Sequence, residues 1–274
     1  MSNNRMEKLA GEMKEFYSGS QAYLEGGLQG HGREFFSLYH SRVRAQVPGG
    51  SAVLEAGCGT GASCAILAEA GYRVTGTDLS GRFLDRSLES DRVKLLCADV
   101  TALPFPDASF DAVLSHQMIE HVPLVARALA EMGRVVKPGG LVLLMSPNLL
   151  SPFIPGSALK SLLRGGKGLD VWGETVFMAA WNTKSNLFFS LLKAVGLIPG
   201  FMMRQPDFSR PGVSDADAVY LSTPLDITRF YRKAGFAVTD ASGRFSGIER
   251  AVCRVFPSFS AEICVVARKP GGAR

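Results

Sequence analysis

Glu55 stands just before a run of alternating glycines, Gly57-Cys58-Gly59-Thr60-Gly61, and the residues around it have the types and spacing to hold a nucleoside. An apolar stretch, Ala52 to Ala56, leads into the glycines, and an alanine-rich helical pattern follows from Ala62 to Ala70. A strand, a glycine turn and a helix in that order let a ligand approach the backbone closely and present N–H groups at a helix N-terminus. Glu55 is expected to turn its carboxylate into the same crevice. Asp78 ends the next expected strand, in Val74-Thr75-Gly76-Thr77-Asp78, about twenty residues beyond the turn, where a carboxylate accepts hydrogen bonds from two ribose hydroxyls. Gly57, Gly59 and Ala62 also satisfy the G-x-G-x-x-G/A dinucleotide pattern, so these residues indicate a nucleoside without choosing which one.

A second group lies in Ser115-His116-Gln117-Met118-Ile119-Glu120-His121-Val122. An imidazole with a pKa of about 6.5 suits proton abstraction from a hydroxyl or amine, which makes His116 a candidate general base. If the segment is helical, Glu120 comes four residues later and faces His116, while His121 points elsewhere. The alternative is that His116 is a pocket wall and Glu120-His121 a structural helix start.

These groups need a scaffold, and the hydrophobic pattern supplies one. Apolar strands are expected near 52–56, 72–77, 92–97, 110–115 and 140–145, with helices near 62–70, 81–88 and 123–136. This alternation predicts an α/β fold with a doubly wound, mostly parallel sheet. Lys137-Pro138-Gly139-Gly140 reads as the stop between the last of these helices and the fifth strand. Thr223 is expected to cap a helix from Pro224 to Ala234, with strands following near 236–240 and 261–267.

Several motifs now stand in order. The acid at Glu55 followed by Gly57, Gly59 and Gly61 resembles motif I of class I S-adenosylmethionine-dependent methyltransferases, with every position filled. Leu103-Pro104-Phe105-Pro106-Asp107-Ala108-Ser109-Phe110-Asp111 looks like the approach to strand four in small-molecule members, and Asp99 follows strand three as it does in that family. The resemblance is to the quinone-biosynthesis type (methyltransferase domain type 11), dense over 50–148 and loose over 223–268. It implies a Rossmann-like, seven-stranded sheet closed by a C-terminal antiparallel hairpin, and S-adenosylmethionine as cofactor. Carried over by position, Glu55, Gly57, Gly59 and Gly61 shape the methionine end, with His116 flanking it. Asp78 and Leu79 hold the ribose, and Asp99 and Val100 hold the adenine. The segment ending in Glu120-His121-Val122 resembles the E-x-x-E-H-V of quinone O-methyltransferases, where two Glu and one His can bind a divalent metal. Here Gln117 replaces the first Glu, a weak ligand for a hard cation, so no metal is expected.

The implied activity is methyl transfer to a small-molecule or lipid-like acceptor, most simply at oxygen, by in-line displacement. The alternatives are a nicotinamide-dependent oxidoreductase and a non-catalytic cofactor-binding partner protein. No N-P-P-Y, D-P-P-Y or Pro-Cys segment follows strand four, and a net charge of +5 without a dense Lys/Arg block does not call for nucleic acid.

Four segments are expected: an N-terminal helical cap (1–50), the cofactor-binding core (51–148), an apolar insert forming an acceptor-site cap (149–222) and the C-terminal part of the sheet (223–274). Phe16, Tyr17, Tyr23, Phe35, Phe36 and Tyr39 give the first its aromatic character, and His31 and Arg33 are its lid candidates. The insert carries both tryptophans, Trp172 and Trp181. Its apolar stretch 187–203 admits three readings: a buried helix, a pocket wall, or a peripheral membrane contact assisted by Lys160, Arg164, Lys167 and Lys193. Asp207, Arg210, Asp215, Asp217 and Tyr220 form a polar stretch that reads as a site mouth or as solvated turns. Five scattered cysteines without a C-x-x-C pair argue against a disulfide framework or structural zinc. The polar start, Met1 to Glu15, lacks signal-peptide character, so a cytoplasmic protein, or one peripheral at the inner membrane face, is expected.

Overall fold

The computed structural model describes residues 3–21, 25, 32–210, 213, 215–240 and 248–271. Tyr23 and His31 lie outside them. The fold is the expected α/β one, a seven-stranded sheet in the order β3-β2-β1-β4-β5-β7-β6. Its strands are β1 (Ala52–Ala56), β2 (Arg73–Asp78), β3 (Val93–Cys97), β4 (Phe110–His116), β5 (Val136–Pro147), β6 (Ala237–Asp240) and β7 (Glu262–Arg268). The first five run parallel, and β7 lies antiparallel between β5 and β6. The closing pair is the expected antiparallel one, β6 against β7, with a helix, Ile248–Val255, between its strands.

Both faces of the sheet are covered, so the central strands are apolar almost throughout. On one face α4 (Val125–Val135) and α7 (Pro224–Lys233) bury Leu129, Met132, Ile227 and Tyr231 against Val113, Val142 and Val265. On the other, α2 (Ser37–Gln46) and α3 (Ala62–Glu69) bury Tyr39, Val43, Cys64 and Leu67 against Val53, Leu114 and Leu143. The first helix, α1 (Asn3–Gly19), packs Met6, Leu9, Met13 and Tyr17 on Val219, Leu79 and Leu124. The insert contributes α5 (Phe153–Leu163) and the long α6 (Val176–Ala194).

Three local expectations are corrected. Residues 81–88 form a turn and a short 3-10 segment, Arg86–Leu88, in place of a helix; Asp85 accepts from the Ser87 N–H and closes the chain locally. Strand β5 begins at Val136, so the Lys-Pro-Gly-Gly run lies inside it. A register shift opposite Phe110 and Ala112 absorbs the run, and a Cβ on Gly140 would stand 2.5 Å from the Asp111 carbonyl. Thr223 precedes α7 in extended conformation but makes no side-chain cap bond; Pro224 at the first helical position supplies the start signal.

Candidate active site

The strand order reverses between β1 and β4, since β1 leads outward to β2 and β3 while β4 leads to β5. Ligands of open α/β sheets bind in the crevice at such a switch point, beyond the carboxyl ends of the strands. Ala56 on β1 pairs with Ser115 on β4. The glycine turn and His116, next in each chain, therefore flank that crevice.

The turn is held from within. Gly57, Gly59 and Gly61 have φ of 72°, 57° and 91°, values that strain an L side chain. The N–H groups of Gly57 and Cys58 donate to the Thr77 carbonyl at 2.7 and 2.9 Å, and that of Gly59 donates to Asp78 Oδ2 at 2.9 Å. The Met118 side chain fills the space where a Gly57 Cβ would sit, whereas nothing lies within 4 Å of that position on Gly59. The cradle is thus closed at Gly57 and open at Gly59.

Each site residue chosen from sequence has a definite place. Asp78 is half-buried and also accepts from the Ser80 N–H at 3.0 Å; burial pushes its carboxyl up to about 6 against the pull of the Ser80, Gly59 and Leu79 N–H groups. Leu79 lies beneath α1 among the contacts of Met6 and Tyr17. Asp99 uses Oδ1 to accept from the Thr101 N–H and hydroxyl at 2.8 and 2.7 Å, and Val100 packs on the core beneath α4. Glu55, expected to turn its carboxylate into the crevice, turns it inward toward α3. Its buried carboxylate accepts from Ser63 Oγ at 2.7 Å and Cys64 Sγ at 3.1 Å, and burial raises its pKa. Behind it His40 Nε2 lies 2.9 Å from Ser63 Oγ, and burial, with Arg44 and Arg33 nearby, lowers that imidazole to about 4.

His116 is stacked on Tyr39 with ring centroids 4.7 Å apart and planes 10° apart. Phe35 and Phe36 approach it edge-on at 5.3 and 5.9 Å. The chain just before α2 and Tyr39 within it thus wall the histidine. Arg33 is exposed and paired with Glu69.

Glu120 departs from the helical expectation. Gln117 takes φ of 55° and its N–H returns to the Met145 carbonyl, so no helix runs from His116; Ile119–His121 is a single 3-10 turn. Glu120 is fully buried and accepts from Ser146 Oγ at 2.8 Å, and burial pushes it up to about 6. Its Oε1 lies 3.8 Å from His121 Nε2, and His121 Nδ1 lies 3.4 Å from Asp217 Oδ2. Asp217 in turn accepts from the Tyr17 hydroxyl at 2.7 Å. Glu120, His121, Asp217 and Tyr17 therefore form a chain of polar groups from the end of β4 to α1. Sequence reading missed it because Tyr17 and Asp217 are 200 residues apart. A separate open groove of about 540 Å³, lined by Glu12, Glu15, Phe16, Gly19, Ser20 and Phe208, lies along the end of α1.

Known proteins share this plan. The profile of the methyltransferase-domain family matches residues 54–144, the span of the glycine turn, Asp78, Asp99 and His116. A protein of Encephalitozoon cuniculi that carries a provisional methyltransferase name is 32% identical over 171 residues, covering 61% of this chain and 71% of that one. The chain belongs to the methyltransferase family. The 2-methyl-6-phytyl-1,4-hydroquinone methyltransferase of Synechocystis is 33% identical to this methyltransferase over 165 residues, 56% of this chain and 48% of that one. The methyltransferase spans about half or less of the length of the first curated relatives it matches. Among solved structures, an S-adenosylmethionine-dependent methyltransferase from Mesorhizobium loti superposes with a TM-score of 0.56 over 87% of this chain and 98% of that one. At 19% identity that likeness is one of fold.

The residues present fit S-adenosylmethionine, the cofactor of this family. Carboxylates stand at the end of β2 and just beyond β3, acceptors of the kind that suit the hydroxyl and amino donors of a nucleoside, and Asp99 keeps Oδ2 beyond its Thr101 bonds. The open side of the cradle at Gly59 admits close approach to the backbone. Among the described residues no group of three or more His, Cys, Asp or Glu side chains is arranged to hold a metal ion.

Proposed function

We propose that this methyltransferase transfers a methyl group from S-adenosylmethionine to an oxygen of a small, lipid-like acceptor. The observation that carries the reading is the convergence at one switch point of a left-handed glycine turn braced by Asp78, a second carboxylate at Asp99, and an aromatic-walled histidine. When bound, the cofactor supplies a methyl group on a positively charged sulfur, an excellent leaving group. Orientation then supplies much of the rate.

In this reading Asp78 and Leu79 hold the ribose, Asp99 and Val100 the adenine, and Gly57, Gly59 and Gly61 the methionine end with Glu55 fixing the turn from below. An imidazole nitrogen of His116 takes the acceptor's hydroxyl proton, and the Phe35, Phe36 and Tyr39 rings keep water from its other side. Glu120 is closed off from solvent, so it acts as a positioning residue through His121. The hydroquinone named for the Synechocystis relative and the demethylmenaquinone named for a relative from Clavibacter sepedonicus are hydroxylated or quinonoid ring compounds with apolar tails. They support an acceptor of that chemical kind.

Calorimetric titration of the purified chain with S-adenosylhomocysteine and, in parallel, NADH tests the cofactor. Binding of the first, weakened by Asp78→Ala and by Asp99→Ala and absent for NADH, is expected. Binding of NADH alone would overturn the reading.

A further inference from the structure

Helix α6, Val176–Ala194, turns its polar side toward the protein and its apolar side toward water. Asn182 Nδ2 donates to the Trp172 carbonyl at 3.1 Å. Asn186 Nδ2 donates to the carbonyls of Leu149 and Ser151 at 3.1 and 2.9 Å, and Ser190 Oγ to that of Leu150 at 2.6 Å. Lys193, one of the cations of the membrane-contact reading, is fully buried, its Nζ 2.8 and 2.7 Å from the two Asp226 carboxylate oxygens. These residues fall on one side at steps of three or four.

The opposite side carries Phe177, Trp181, Lys184, Phe188, Leu191 and Val195 at the same steps. Phe177 is 77% exposed, Trp181 60% and Phe188 56%, with Leu187 exposed beside them. An apolar face of this extent, anchored through its polar back, marks an interaction surface. The chain spacing had pointed to 187–203; the exposed face instead runs from Val176 to Val195, before the chain leaves the helix through Gly196.

Charge identifies the partner. Neither α5 nor α6 contains an acidic residue. Lys184 is exposed in the middle of the apolar face, and Lys160, Arg164 and Lys167 are exposed on α5 and the loop after it. Helix α5 runs against α6, where a Cβ on Gly156 would meet Thr183 at 3.9 Å. Exposed aromatic rings with interspersed cations match an anionic headgroup layer: the rings enter the interface and Lys184 extends its amine outward. An isologous contact with a second copy, antiparallel along this helix, sets Lys184 near its own symmetry mate with no acid on the helix to pair it. Among the described residues no helix is long and apolar enough to cross a membrane.

We propose that α6 docks this protein onto an anionic lipid surface, lying in the plane of the interface. Its polar back is bonded to Leu149, Leu150 and Ser151, just beyond the carboxyl end of β5, so docking places the mouth of the crevice next to the bilayer. The proposal deepens the lipid-like acceptor reading, yet its test is binding alone.

The test is flotation of the full chain with phosphatidylglycerol–phosphatidylcholine vesicles and with phosphatidylcholine vesicles, at low and high salt. Flotation with the anionic vesicles at low salt is expected. Phe177→Ser with Phe188→Ser lowers it about ten-fold or more, and Lys184→Gln and Arg164→Gln about five-fold each. In a Trp172→Phe background the Trp181 emission shifts to the blue on vesicles and is quenched by brominated acyl chains. Unchanged circular dichroism melts keep the variants interpretable. No flotation at low salt, or flotation that the double variant leaves intact, overturns the proposal. So does a concentration-dependent dimer in sedimentation that the double variant dissolves. Vesicle binding without S-adenosylhomocysteine binding would retire the methyl-transfer reading alone, and the converse would retire the docking alone.

Discussion

The Gly59 N–H donates to Asp78 Oδ2 at 2.9 Å, so the carboxylate at the end of β2 is also the brace of the turn after β1. One side chain thereby sets the shape of the turn and, in the function proposed above, also holds the ribose. Strand pairing makes this possible: Ala56 is in register with Thr77, one residue before Asp78.

Asp78 therefore ties affinity to pH. Burial holds its carboxyl up to about 6, and the ionised form is the better acceptor of ribose hydroxyls. S-adenosylhomocysteine affinity is expected to rise as pH increases through about 6 and then to level off. Asp78→Asn removes this dependence and weakens binding roughly 10- to 100-fold, the loss expected from charge-assisted hydrogen bonds. Calorimetric titrations from pH 5 to 8 check it.

Glu120 gives a stability prediction of definite sign. Its pKa is about 6 in the folded chain against an ordinary 4.5, so the folded state holds the extra proton in that window. The resulting stabilisation is complete below about 4.5 and is lost as pH rises through about 6. Glu120→Gln is expected to flatten this limb and to raise the melting temperature relative to wild type more at pH 7 than at pH 4.5. Differential scanning calorimetry across that range decides it.

The buried ion pair of Lys193 and Asp226 should show strong non-additivity. Lys193→Met leaves a buried carboxylate unpaired and is expected to cost about 3–5 kcal/mol. Lys193→Met with Asp226→Leu recovers most of that loss, because neither charge then remains buried. Urea unfolding of the single and double variants measures the coupling.

Gly57→Ala meets two obstacles, a φ of 72° and the Met118 side chain in the space its methyl needs. A loss of about 1–2 kcal/mol from the backbone alone is expected, together with weakened S-adenosylhomocysteine binding. Gly57→Ala with Met118→Ala relieves the contact but not the dihedral, so only part of the stability returns in thermal melts.

His116→Gln tests the proposed base. A drop in kcat of about 10²- to 10⁴-fold is expected, with S-adenosylhomocysteine affinity within a few-fold of wild type. An unchanged kcat would show that orientation alone carries the reaction.

The sheet was legible because its strands are apolar runs separated by glycine and proline, and the glycine turn because its spacing is local. What lay beyond reading was set by tertiary contacts. The Asp85–Ser87 turn displaced a helix at 81–88, and the Tyr17–Asp217 hydrogen bond joins distant parts of the chain. Glu55 is a third case: the motif places an acid at its position but does not reveal that Ser63 and Cys64 draw it inward. The helical spacing of Phe188, Leu191, Leu192 and Val195 pointed to a helix with an apolar side. It could not say which side faces the protein, because that depends on the backbone carbonyls of Leu149, Leu150 and Ser151.

Lys193 and Asp226 also bear on how such a chain can diversify. One partner lies on α6 in the insert, the other on α7, which packs on the sheet. A transplanted insert lacking the lysine would strand Asp226 inside the domain, so the two positions must be exchanged together. A chimera whose junction falls between α6 and α7 should therefore take both residues from the same parent, or it leaves one charge buried alone.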